Sequence, residues 1–228
     1  MMQSKRTTLV LATALACAAL AACSSLPSAG QLGGLSGGGA QSSGNLDGDV
    51  KAFLDTSTRV ESTFNKASVA IAAAYDSEEK RAEWQAKFDS IGKSTDPKEA
   101  GANFQAISES TEAVLKKITQ QKDFAEKTAA MSDAKKKMLA AAVGNFLLGA
   151  LQAKDLAPTG QNVMKAAGSN PMNLGKVLPV KDALPRLINA TTLAGSTLPE
   201  FVKVLKGANV EVPAITLSSK PAQLDKLN

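Results

Sequence analysis

Histidine is absent from the sequence, and cysteine occurs only as Cys17 and Cys23, both near the amino terminus. These absences exclude histidine-based triads, Cys–His nucleophiles, zinc sites built on histidine or cysteine, and haem ligation by either residue. Aromatic residues make up 4% of the chain, with one tryptophan and one tyrosine, so a large aromatic cage is not expected. Basic residues exceed acidic ones only mildly, 26 against 21. Lys135-Lys136-Lys137 is the densest basic cluster, and three lysines at a helix start read as a solvated face, so no nucleic-acid partner is expected. The two longest apolar stretches, Thr7 to Leu20 and Met138 to Ala153, both fall short of the roughly 20 residues that cross a bilayer. No GxSxG, P-loop or EF-hand spacing occurs. Ser77-Glu78-Glu79-Lys80 has the outward form of SxxK, but it reads better as a helix start, because the partner motifs of serine acyltransferases are missing. No enzyme, cofactor or metal site is therefore expected.

What is present begins with the first 25 residues. Lys5 and Arg6 precede the apolar run Thr7–Leu20, the layout of an export signal. Leu20-Ala21-Ala22-Cys23 follows: an apolar residue, two small residues, then cysteine. This resembles the lipobox of bacterial lipoproteins. The resemblance implies that the signal peptide, residues 1–22, is cut between Ala22 and Cys23, that Cys23 carries a diacylglyceryl group, and that the new amino terminus is acylated. One acyl chain holds a protein to a membrane only weakly, whereas two or three on one residue anchor it stably. Ser24 follows the cysteine, and in the proteobacterial lipoproteins this resembles, aspartate there favours retention in the inner membrane. The expected location is thus the outer membrane, on its periplasmic face. The alternative is an ordinary secretory cleavage, which would leave one unpaired thiol in an oxidising compartment.

Removing Lys5 and Arg6 with the leader leaves 24 basic against 21 acidic residues, a net charge of about +3. Residues 23–44, with Gly33-Gly34 and Gly37-Gly38-Gly39, read as a flexible spacer, because such a segment cannot bury enough apolar area to offset its conformational entropy.

From Asn45 the pattern turns helical. Leu46, Val50, Phe53, Ser57, Val60, Phe64, Ala67, Ile71 and Ala74 recur at steps of three and four, which predicts a long amphipathic helix ending near Tyr75-Asp76. A short helix follows with Trp84, Phe88 and Ile91 inward and Gly92 as its stop. Trp84 is expected to pack between helices. Asp96-Pro97-Lys98-Glu99 starts another, with Asp96 as N-cap and Pro97 in the first turn, expected to run to about Met131 with Phe104, Ile107, Ile118 and Ala125 inward. Ser132 then caps the uncharged run Met138–Ala153, expected to be the buried central helix, with Asn145 hydrogen-bonded to a neighbouring backbone. Beyond Leu156, Thr159, Asn170, Asp182 and the capping box Thr197–Glu200 each read as a helix start, and Gly168, Pro179, Gly195 and Gly207 as stops, giving several short helices. Val210–Leu217 reads as an extended strap and residues 218–228 as a loose tail.

The expectation is one all-α domain over residues 45–217, an irregular bundle of two long amphipathic helices, one very apolar central helix and several short C-terminal ones. Its expected role is that of a non-catalytic accessory or interaction subunit of an envelope assembly, held to the membrane by its acyl chains and touching a protein partner. An apolar ligand or lipid bound between helices is the alternative, with Leu147, Leu151, Leu187 and Leu205 as the candidate pocket lining. A hydrolase working with carboxylates needs two acidic side chains converging in a cleft, and every Asp and Glu placed from the sequence falls at a cap or on a wet face.

Overall fold

The computed structural model describes residues 45–227, apart from positions 95, 169, 225 and 226. Cys23, Ala22 and the spacer lie outside the described residues. Six α-helices and no strand occur among the described residues, so the protein is an all-α helical bundle. In chain order they are α1 (Leu46–Tyr75), α2 (Arg81–Ser90), α3 (Pro97–Thr119), α4 (Phe124–Ala130), α5 (Asp133–Gly168) and α6 (Leu178–Gly207). Single 3₁₀ segments, Glu78–Lys80 and Pro171–Val177, lead into α2 and α6.

Helix α1 begins where the sequence predicts. Asn45 is its N-cap, its side-chain oxygen accepting from the Gly48 amide at 3.1 Å. Its 30 residues span about 45 Å. The expected inward face from Val50 to Ala74 is buried, and around Val69–Ala72 burial extends all the way round. Helix α5 lies antiparallel against it. A Cβ on Gly149 would come within 2.8 Å of the Phe64 Cβ, and one on Gly160 within 2.6 Å of the Phe53 ring, eleven residues later on one helix and eleven earlier on the other. Phe64 and Phe146 stack at 4.5 Å in this seam. Helix α6 runs parallel to α1. Arg186 meets Glu61 near the middle and Phe201 meets Tyr75 near the end, fifteen residues along α6 against fourteen along α1. Helices α3 and α4 cover the remaining side of this core.

The expected helix from Asp96 to Met131 is two helices. Asp96 caps α3 as predicted, its carboxylate accepting from the Lys98 and Glu99 amides at 2.9 Å. The break between Thr119 and Phe124 has a steric cause. Phe124 follows Ile118 by six positions, a step that places them far apart around one helix. Interrupting the helix lets Phe124 turn inward and leaves Ala125 exposed, the reverse of the expectation for Ala125. Phe124 then packs at 5.3 Å from Tyr75 and 5.4 Å from Phe201. The Tyr75 hydroxyl shares a 2.8 Å hydrogen bond with Thr128, and burial pushes its phenol up to about 12. Trp84 is buried as expected, and its indole N–H donates to Asp76 at 2.9 Å.

Beyond Leu156 the short helices expected there are two long ones. α5 continues through Pro158 to Gly168, and α6 is unbroken through Pro185, Gly195 and Pro199. Each internal proline removes one helical hydrogen bond and costs about 3 kcal/mol. All three prolines are exposed, and the carbonyls they leave unpaired belong to Lys154, Lys181 and Gly195, also exposed residues that water can reach. The burial of Leu184, Leu187, Leu193, Phe201 and Leu205 along one face of α6 outweighs that cost. Thr197 is no cap. Its hydroxyl donates back to the Leu193 carbonyl at 2.7 Å inside the helix.

The carboxyl-terminal segment is not loose. After α6 the chain extends over α5, with Pro213 and Ile215 resting against Gly144. Asn145 donates to the Ala222 carbonyl at 2.8 Å and accepts from the Ala222 amide at 2.7 Å, so one side-chain amide holds both polar groups of a backbone residue. Leu227 is buried, and its amide donates to Gln85 at 3.1 Å. The C-terminal cover of the uncharged run of α5 thus extends beyond the strap into residues expected to be a loose tail. Asn145→Ala removes both bonds, at about 2 kcal/mol. It is expected to raise hydrogen-exchange rates across residues 213–227 while leaving α1 protected; unchanged protection of the Ala222 amide would contradict the clamp.

Candidate functional site

The polar centre of the bundle lies on the face of α1 that the apolar pattern conceals. Ser57, Glu61 and Asn65 succeed one another at steps of four and are all buried. Ser57 donates to a Glu61 carboxylate oxygen at 3.1 Å, and the Asn65 amide donates to the Glu61 backbone carbonyl at 2.9 Å. From α6, the Arg186 Nε donates to both carboxylate oxygens of Glu61, at 3.2 and 3.1 Å, and one terminal nitrogen donates to the Asp182 carbonyl at 2.8 Å. The guanidinium lies against Gly101 of α3, where a Cβ would approach it to 3.0 Å. One arginine therefore joins α1, α3 and α6.

Glu61 overturns the expectation that every carboxylate lies at a cap or on a wet face. Loss of hydration raises its pKa above the ordinary glutamate value, and the nearby Arg186 charge and the hydrogen bonds from Arg186 and Ser57 oppose that rise. Its partner is a cation and not a second carboxylate. Beside it is a crevice with room for about one water molecule. Asn65 lines it and is the one buried side chain among the described residues with a polar atom, Oδ1, that has no hydrogen-bond partner. Of the four leucines expected to line an apolar pocket, Leu187 alone borders this crevice. Leu205 is fully buried in the core, whereas Leu147 and Leu151 are only partly buried on α5. The missed signal was available: the run Ser57, Glu61, Asn65 keeps helical spacing beside the apolar stripe, and Arg186 is the sole charge between Asp182 and Glu200.

A second feature lies at the end of the bundle where α1 begins. Asn170 caps the 3₁₀ segment, its side chain accepting from the Met172 amide at 3.0 Å, and Val177 is buried beneath it. Above this base Met172 is 88% exposed, Leu174 52% and Leu178 54%. Lys176 pairs with Asp47 in the first turn of α1 at 2.9 Å, which fixes this apolar tip beside the point where the described chain starts. No helix among the described residues is long and apolar enough to cross a membrane. The chain matches no family model, and no curated protein or solved structure is similar to it.

Proposed function

We propose that this protein is a lipid-anchored lipoprotein of the cell envelope, held in the outer membrane on its periplasmic face, whose helical domain acts by contact as a non-catalytic subunit of an envelope assembly. The observation that carries the proposal is the succession of basic residues, apolar run and Leu20-Ala21-Ala22-Cys23. Acyl chains on Cys23 supply the attachment, each buried methylene contributing about 0.8 kcal/mol. The bonding of Glu61 supports the non-catalytic half of the reading. Its carboxylate is engaged by Arg186 and Ser57, the arrangement of a structural joint.

Mass spectrometry of the chain isolated from membranes tests the anchor. The expected product begins at Cys23 and carries the mass of a diacylglyceryl group and an amide-linked acyl chain. Cys23→Ala is expected to yield a precursor that retains residues 1–22 and takes up no labelled fatty acid. A mature wild-type chain with an unmodified Cys23 thiol would overturn the reading. Crosslinking in intact cells then identifies the partner.

A further inference from the structure

We propose that the tip formed by Met172, Leu174 and Leu178 is a second membrane contact, dipping into the lipid surface that holds the acyl chains of Cys23. The inference rests on the anchor reading. Three large apolar side chains project at one end of the bundle, on a short segment fixed from below by Val177 and from the side by the Lys176–Asp47 bridge. That end is also where the chain leads back to the anchor. Only 21 residues, 24–44, lie between Cys23 and Asn45, and the span expected from composition for a Gly- and Ser-rich chain of that length is about 25 Å. The tip is therefore the part of the domain delivered to the lipid surface. Between Leu156 and Lys181 the charges are Lys165, Lys176 and Lys181 with no acidic residue, a composition compatible with an anionic lipid face. Asp47, the nearest acid fixed by a bond to the tip, is paired with Lys176. The contact need not be strong alone. A short tether holds the tip at an effective concentration on the order of millimolar, so even a weak insertion is populated.

The mature protein, beginning at acylated Cys23 and therefore lacking Cys17, provides the test in vesicles of phosphatidylethanolamine with a minority of phosphatidylglycerol. Acylation blocks Cys23, so Met172→Cys introduces the one free thiol available for a fluorescent label. Lipids brominated along their chains are expected to quench that label, and to leave unquenched a label at Glu79→Cys, beyond the other end of α1. Adding Leu174→Asp, at a position already half exposed, should reduce the membrane-bound fraction of the tip about tenfold or more. An acylated protein whose label at position 172 stays unquenched would overturn the tip contact while leaving the anchor standing. Self-quenching that rises with protein density, without quenching by lipid, would assign the tip to a second copy and equally overturn it. A free thiol at Cys23 in the mature chain would overturn anchor and proposal together.

Discussion

Arg186→Met is expected to destabilise the domain by about 3–5 kcal/mol at neutral pH, because it strands the Glu61 carboxylate in the core. The Glu61 side chain is 4% exposed and that of Arg186 16%, so little water is available to replace the lost partner. Urea unfolding of the full chain reads the loss directly. Its pH dependence identifies the cause. Burial raises the folded-state pKa of Glu61, so the folded state is favoured by protonation and loses stability as pH rises from the unfolded value towards the folded one. Removing Arg186 removes a lowering influence and moves the folded pKa further up. The gap between variant and wild type should therefore be smaller near pH 5 and widen towards about pH 8. Glu61→Leu combined with Arg186→Met should recover most of the loss, since an apolar pair of similar volume replaces the ions. A gap independent of pH would mean that lost packing of the arginine stem, and not the stranded charge, sets the cost.

Gly149→Val is expected to cost about 3 kcal/mol or more, with Gly149→Ala showing a smaller loss of the same sign. The Cβ of either would meet Phe64 at 2.8 Å from its Cβ, 3.0 Å from its Cα and 3.1 Å from its backbone nitrogen. A side-chain tip can rotate away, but the backbone of a long helix cannot, so α1 and α5 must separate and the Phe64–Phe146 stack opens. Gly144 is the internal control. It lies five residues away on the same helix, and a Cβ there would sit at 3.6 Å from Ile215, an ordinary contact. Gly144→Ala should therefore be neutral or stabilise by up to about 1 kcal/mol through helix propensity. Thermal unfolding that ranks the two alanine variants equally would refute the close seam between α1 and α5.

The long elements were legible because their evidence is local and repeated. Asn45, Asp96 and Ser132 begin helices as their side chains suggest; the Lys135 amide, for instance, donates to the Ser132 hydroxyl at 3.3 Å. Gly92 ends α2 with φ 85°, a conformation glycine adopts at no steric cost. The misreadings share one cause. Thr159, Asp182 and Thr197 are local signals to start and Pro179 and Gly195 local signals to stop, and burial along the continuous faces of α5 and α6 overrode them. The break before Phe124 is likewise set by Tyr75 and Phe201, residues remote in sequence. Glu61 escaped notice because a charge beside an apolar stripe normally faces water, and nothing nearby announces a partner 125 residues away. Leu147 sits in the most apolar run of the chain, yet it is Leu148 that is fully buried, so an aspartate at 148 is the stringent probe of that core. The apolar tip is a surface property: Met172, Leu174 and Leu178 are as apolar as the buried Val177 among them, and only the packing tells them apart.

The pairing of α1 with α5 and α6 also sets an order of events. The first long helix finds its closest apolar cover in α5 and its ionic partner in α6, so contacts of large sequence separation must close before the core is complete. Ring closure of that length slows folding. While the chain is still arriving, the Glu61 carboxylate has no guanidinium to meet, and hydration favours the open helix. Under the proposed export through the envelope, such late closure keeps the leading half pliable until the trailing half has come through.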